Sequence, residues 1–317
     1  MGKQPIPQTM IEAVRQFANK KNAHDFFVQI RFPNGVACPR MGCGSAAVAF
    51  MPKVMRWYCN ECKRQFSAKV GTIFEDSPIP LTKWLPAVWL IASNRNGISS
   101  YEIARALKVT QKTAWFMLHR IREAMGDHGD DQLKGPVEAD ETYVGGQFEK
   151  MNAKRRAKLD RPQRGRWANR AAVMGIVERN TRERKGKARA FVVPFVDWTL
   201  RREIAKRVPA GEIVHTDGAT WYKGLSRDFI HETVDHRAAE YVRGNVHTNS
   251  IEAFFSVFKR TIKGTYVAPR AKHLQRYVDE QVFRFNAREE KDGPRFAEAT
   301  KRVDGKRLTY KALIAKS

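Results

Sequence analysis

Two sets of residues in this sequence could do chemistry: four cysteines crowded into one short window, and acidic residues set inside apolar runs further along. Cys38-Pro-Arg-Met-Gly-Cys43 is followed, after fifteen residues, by Cys59-Asn-Glu-Cys62. A tight turn inside each pair points two thiolates the same way, and tetrahedral zinc requires four soft ligands converging at ~2.3 Å. Unrelated buried cysteines would scatter along the chain, so the window reads as a zinc ribbon. No histidine or open position is needed, so the site is closed and holds shape without performing chemistry. Alternating residues at 55–58 and 64–67 supply its short strands.

Asp140 lies in the strand-like run Val137-Glu138-Ala139-Asp140-Glu141-Thr142-Tyr143-Val144, which ends in the glycine turn Gly145-Gly146. Asp217 follows Ile213-Val214-His215-Thr216 and precedes Gly218, at the carboxyl end of a buried strand, where α/β folds expose their chemistry. Glu252 falls in a helical stretch from His247 to Arg260. There Asn249, Glu252, Ser256 and Lys259 share one stripe, while Ile251, Phe254, Phe255 and Phe258 face inward. Two strand aspartates and a helix carboxylate can hold two magnesium ions ~3.5–4 Å apart. Spacing alone does not single these three out, because a chain of this size offers many acids and solvated surface acids are the competing reading. Glu138 and Glu141 flank Asp140 and read as bystanders, Glu138 on the same strand face and Glu141 on the opposite one. His215 and His247 read as hydrogen-bonded structural histidines.

The elements that must position the acids follow from the pattern. Strands are predicted at 172–178, 188–195 and 212–216, with a helix at 199–207, which makes an α/β core of mixed sheet covered by helices. Upstream, residues 78–125 read as helical. Ser99 or Ser100 caps one helix and Thr110 the next, with a short turn between them. That is helix-turn-helix rhythm, with Gln111, Lys112 and Thr113 at the start of the second helix, where DNA would be met; an ordinary helical hairpin is the alternative. Trp115, Leu118 and Ile121 share one face and read as core. Residues 154–170 are dense in basic side chains, among them Arg155, Arg156, Arg164 and Arg166. They suggest a loop that orders against phosphates, or else a solvated insertion.

Lys and Arg total 58 against 33 acids, a formal charge of +25, which favours a polyanionic partner through counterion release. No stretch approaches the ~20 apolar residues of a membrane span, and the amino terminus lacks the apolar core of a signal peptide, so a cytoplasmic location is expected. Four cysteines in such a compartment are metal ligands sooner than disulfides.

Taken together, Val-Glu-Ala-Asp140-Glu-Thr-Tyr-Val-Gly-Gly, Val-His-Thr-Asp217-Gly and His247-Thr-Asn-Ser-Ile-Glu252-Ala-Phe-Phe-Ser-Val-Phe-Lys259-Arg resemble bacterial insertion-sequence DDE transposases of the ISXO type, relatives of the Merlin elements. The stretch from His273 to Asn286 also resembles that group, and so does the order of ribbon, helix-turn-helix and core. The resemblance implies an RNase-H-like catalytic core and two divalent metals, Mg2+ or Mn2+. It implies terminal-inverted-repeat and target DNA as substrates, and cleavage followed by strand transfer, with a homodimer joining two ends. Asp140 and Asp217 match the first two catalytic acids. The third position varies between glutamate and asparagine in that group; Glu252 is preferred here because a carboxylate binds Mg2+ better than an amide, with Asn249 as adjunct. Lys259 matches the trailing lysine, placed to contact a phosphate, with a solvated lysine as the alternative. The expected domains are a zinc-ribbon region at 1–75, a helix-turn-helix at 76–130, the catalytic domain at 135–290 and a basic tail at 291–317. A DNA-binding regulator without catalysis and a nuclease that does not join ends are the competing functions.

Overall fold

The computed structural model describes residues 4–126, 129, 132–145, 170–182, 184–234, 246–267 and 269–315. They fall into two compact units, Met1–Asp127 with Ala287–Ser317, and His128–Asn286.

The first unit opens with two helices that the sequence reading did not anticipate, α1 (Met10–Ala18) and α2 (Lys20–Arg31). Thr9 caps the first by accepting the Glu12 N–H, and Asn19 caps the second by accepting from Lys21 and Asn22. The ribbon follows as a three-stranded antiparallel sheet of β1 (Val48–Met51), β2 (Arg56–Cys59) and β3 (Gln65–Ser67), with Trp57 opposite Phe66. Helix α3 (Leu81–Ser93) is apolar on almost every side and is buried through Trp84, Leu85, Val88, Trp89 and Ile91, the pattern of a central helix. Helices α4 (Ser100–Leu107) and α5 (Gln111–Met125) complete this part. Ser99 and Glu102 form a reciprocal capping box on α4, Thr110 caps α5, and Lys108 turns the chain between them at φ 48°.

The second unit is built on a five-stranded sheet of β4 (Val137–Val144), β5 (Ala171–Glu178), β6 (Ala188–Val193), β7 (Ile213–Asp217) and β8 (Ile230–Val234). Its strand order is β6-β5-β4-β7-β8. The pairs β4·β5 and β5·β6 are antiparallel, whereas β4·β7 and β7·β8 are parallel. This is the mixed sheet of an RNase-H-like core. Helix α6 (Thr199–Arg207) buries Leu200 and Ile204 on one face with Ala139, Met174, Ile176 and Val214. The other face is covered by α7 (Asn249–Thr261) and α8 (Leu274–Asn286), which bring Ile251, Phe254, Phe255 and Phe258 together with Val173, Val177 and Ala190.

The carboxyl-terminal residues differ from the expected basic tail. They form α9 (Asp292–Lys301) and α10 (Tyr310–Ile314) within the first unit. Phe296, fully buried, meets Phe26, Phe17 and Trp89 at centroid distances of 5.6, 5.7 and 5.1 Å. The Ile73 N–H donates to the Val303 carbonyl, and Arg120 Nε donates to the Leu308 carbonyl. The segment is short and rich in lysine and arginine, so composition concealed a handful of anchors. Burying Phe296 alone contributes about 1.5–3 kcal/mol.

Candidate active site and zinc centre

The parallel pairing of β4 with β7 sets Val137 beside Val214 and Glu138 beside His215. Asp140 and Asp217 each stand two residues beyond the last paired residues, Glu138 and His215, and by strand alternation on the same face of the sheet as these. On the other side of β4, Asp140 pairs with Gly175 of β5. The missing side chain there matters, because a Cβ on Gly175 would stand 2.6 Å from Ile251 Cδ1 and 2.9 Å from Phe255 Cζ. Helix α7 therefore settles onto the sheet right beside Asp140. Its buried residues are Ile251, Phe254, Phe255, Phe258 and Thr261, leaving Asn249, Glu252, Ser256 and Lys259 exposed, as the helical period requires. Thr248 Oγ1 donates to Glu252 Oε1 at 2.8 Å, which orients the third carboxylate.

Electrostatics ties these groups together. The Asp140 carboxyl is pushed up to about 6, first by burial. The charges of Asp217 and Glu252 push the same way, while the Glu141 N–H and the Lys259 ammonium oppose them. Asp140 thus lies in one electrostatic neighbourhood with the other two acids and with Lys259. Glu141 faces the opposite side of β4, as alternation demands. There Tyr222 Oη and Trp221 Nε1 donate to its Oε2 at 2.9 and 3.3 Å, and burial raises it to about 7.

Glu138 is no bystander. It is fully buried, bonded to Arg179 Nε at 2.7 Å and to the start of α7. The available signal was an ionisable residue at an inward position of a strand, which must find partners. His215 is buried and held down to about 4 by desolvation and then by the Arg179 charge, so it is neutral. His247 Nδ1 lies 3.2 Å from Glu138 Oε1.

In the ribbon, Cys38 Sγ stands 3.8 Å from Cys62 Sγ, and Cys43 Sγ 3.7 Å from Cys59 Sγ. The four ligand atoms lie within 4.8 Å of one another. A tetrahedron with metal–sulfur bonds of ~2.3 Å has edges of about 3.8 Å, so the donors fit zinc in both kind and spacing. The Cys62 N–H pulls the Cys59 thiol down to about 7, although burial opposes it. Against the pull of the Ser45 N–H, burial and the neighbouring sulfurs push Cys43 up to about 11, so Cys59 is the readier thiolate of this pair. Purified protein is expected to carry about one zinc per chain. Stripping it should open residues 44–58 to limited proteolysis, since so small a sheet depends on its metal. Metal analysis that returns no zinc would remove the centre.

A family model for the ISXO2-like transposase domain matches residues 132–286, and one for a transposase zinc-ribbon domain matches residues 18–65. An uncharacterized protein in transposable element ISH50 of Halobacterium salinarum is 32% identical over 257 residues, covering 78% of this chain and 84% of its own. The chain belongs to the ISXO2-like transposase family. A cryo-EM structure of a simian T-cell lymphotropic virus intasome in complex with PP2A regulatory subunit B56 gamma aligns at 12% identity. That match covers 57% of this chain and 63% of the other at a TM-score of 0.26, too loose to bear on fold or function.

A transposase domain of this kind implies divalent-metal use, and together with the ribbon it implies DNA binding. Among the residues expected to read DNA in this transposase, Gln111 Nε2 donates to Ser100 Oγ at 2.8 Å, and the Thr113 hydroxyl pairs with that of Thr110. Lys112 is exposed, its Nζ 5.1 Å from the centroid of the Tyr310 ring. Trp115 is half-buried, whereas Leu118 and Ile121 are core. Arg155, Arg156, Arg164 and Arg166 lie outside the described residues. No helix among the described residues is long and apolar enough to cross a membrane.

The raised Asp140 carboxyl makes a stability prediction for the transposase. Its folded value of about 6 lies above the ordinary 3.8, so the native state binds this proton more tightly than the unfolded chain does. The associated stability is present at low pH and is lost as pH rises between these values. Above pH 6, ionised Asp140 costs up to about 3 kcal/mol. Asp140→Asn, neutral throughout, should melt higher than wild type at pH 8 without added divalent cation, and the two should converge near pH 4. Added Mg2+ should raise the melting temperature of the wild type alone. Equal melting at pH 8 would contradict the cost of holding Asp140 ionised in a buried position beside other acids.

Proposed function

We propose that this transposase binds the terminal inverted repeats of its element, cleaves a phosphodiester there, and transfers the freed 3′-hydroxyl into target DNA. Asp140, Asp217 and Glu252 hold two divalent cations, Mg2+ or Mn2+, with Asn249 as adjunct to the third ligand. The observation that carries this reading is that a buried Asp140 also bears the repulsion of two further carboxylates, Asp217 and Glu252, which costs free energy unless cations neutralise it. When bound, the cations supply positive charge that activates the attacking oxygen and stabilises the leaving one. Lys259, on the exposed stripe of α7, binds a phosphate near the scissile bond. Hydrolysis consumes one water and leaves a 3′-hydroxyl and a 5′-phosphate. In the transfer step that hydroxyl displaces a target 3′-oxygen, so one phosphodiester forms as one breaks.

The ribbon, the start of α5 through Gln111, Lys112 and Thr113, and the basic 154–170 segment bind the double-stranded DNA. A homodimer brings two element ends together, and the protein works in the cytoplasm, at the nucleoid. The test is a nicking assay on plasmid carrying the element's ends, with Mg2+, beside a joining assay on a pre-cleaved end. Cleavage with joining supports the proposal. Cleavage without joining would make the protein a nuclease, and binding without either would leave a regulator.

A further inference from the structure

We infer that Glu138 is the positioning residue for the third acid, a buried carboxylate that clamps the first turn of α7 and so sets where Glu252 stands. This rests on reading Asp140, Asp217 and Glu252 as cation ligands, and goes beyond it by assigning the part that aligns strand with helix.

A helix begins with several backbone N–H groups that have no partner of their own, and ordinarily the residue just before it accepts one of them through its side chain. Thr248, which holds that place before α7, makes no such bond. Its hydroxyl instead donates to Glu252 Oε1. The acceptor comes from β4, far away in sequence. Glu138 Oε2 takes the N–H groups of Ser250 and Ile251 at 2.7 and 3.0 Å. Glu138 Oε1 takes the Ser250 hydroxyl at 3.1 Å and Arg179 Nε at 2.7 Å. Arg179 Nη2 also donates to the carbonyl of His247, just upstream of the helix. A negative charge at this end of the helix complements its dipole, and Arg179 balances it where no water reaches.

The geometric consequence follows from strand pitch. Glu138 and Asp140 stand two residues apart on one face of β4, ~6.8 Å along it. One holds the start of α7 and the other is a proposed cation ligand. Glu252 follows Ser250 by two residues, inside the clamped turn. The offset between the first acid and the third is therefore referred to a single strand, with Gly175 permitting the close approach.

The test uses full-length protein with its zinc in place and compares Glu138→Gln, Glu252→Gln and the double variant. Glutamine keeps the size but, whichever way it turns, sets its NH2 against an N–H donor, the Ser250 and Ile251 amides on one side or Arg179 Nε on the other. Hydrogen exchange of peptides spanning 246–255 should quicken at least about tenfold in Glu138→Gln. Mn2+ affinity, read from the paramagnetic resonance of the free ion, should fall by about tenfold, as for other groups that orient metal ligands. In the Glu252→Gln background, adding Glu138→Gln should change Mn2+ affinity by less than about twofold, since a residue that acts only through Glu252 has nothing left to position.

Unchanged exchange, unchanged Mn2+ affinity, or a full multiplicative loss in the double variant would each overturn the inference. Wild-type Mn2+ affinity in Glu252→Gln also overturns it, and that distinct result sinks the cation site as well. Should Glu138→Gln not fold, Ser250→Ala leaves the buried carboxylate paired with Arg179 and removes one contact. It should weaken Mn2+ binding by about two- to fivefold, and wild-type affinity there counts against the clamp.

Discussion

Asp217→Asn should lower Mg2+-dependent strand cleavage by at least about a thousandfold, a loss of about 4 kcal/mol in transition-state stabilisation, while leaving the protein folded and bound to DNA. Asp217 ends β7, and its Oδ1 accepts the N–H of Ala219 at 3.2 Å. Asparagine retains an oxygen for that bond, so the strand end keeps its shape and only the anionic ligand is lost. Glu252→Gln should cost at least about a hundredfold and Asn249→Ala less than about tenfold, because a hard cation discriminates between carboxylate and amide. The reverse order would transfer the third position to Asn249. Cleavage by Asp217→Asn at the wild-type rate, with the same Mg2+ dependence, would remove the mechanism altogether. Gel-shift binding and thermal melting of each variant separate lost chemistry from lost structure.

Gly175→Ala should impair cleavage about a hundredfold without touching any acidic side chain. The added methyl would meet Ile251 Cδ1 at 2.6 Å and Phe255 Cζ at 2.9 Å, and both side chains are buried, so neither can swing out of the way. The remaining relief is for α7 to rise from the sheet. Overpacking of this kind costs about 1–3 kcal/mol of stability, and a displacement near 1 Å at reacting groups costs about a hundredfold in rate. Valine at the same position should do worse on both counts. The DNA binding proposed for the first unit supplies the control, since that unit does not contain β5. A Gly175→Ala protein with wild-type cleavage would mean that the height of the helix above Asp140 does not govern the reaction.

What could be read from sequence was whatever depends on neighbours along the chain. Cysteine spacing announced the ribbon, Ser99 or Ser100 and Thr110 marked two helix starts, the first of which falls to Ser99, and the apolar stripe of Ile251, Phe254, Phe255 and Phe258 turned Glu252 outward. The acids themselves were not legible from spacing and needed the family motifs. Residues whose meaning depends on distant partners were missed. Glu138 looked idle because its partners, Arg179, Ser250 and Ile251, arrive from another strand and from a helix. Gly175 read as one more strand residue, because the helix that needs its bareness lies far downstream. The amino-terminal helices went unread between the more conspicuous motifs, and α9 was hidden by its own lysines and arginines.

The split composition of the first unit bears on how the polypeptide matures. Its aromatic cluster of Phe17, Phe26 and Trp89 closes only on Phe296, which follows the whole second unit along the chain. The first unit is thus completed late, with every residue of the second unit already synthesised before α9 and α10 emerge from the ribosome. A chain cut short after Asn286 would retain all the acids discussed above, yet its amino-terminal half would present an unsealed aromatic surface to water.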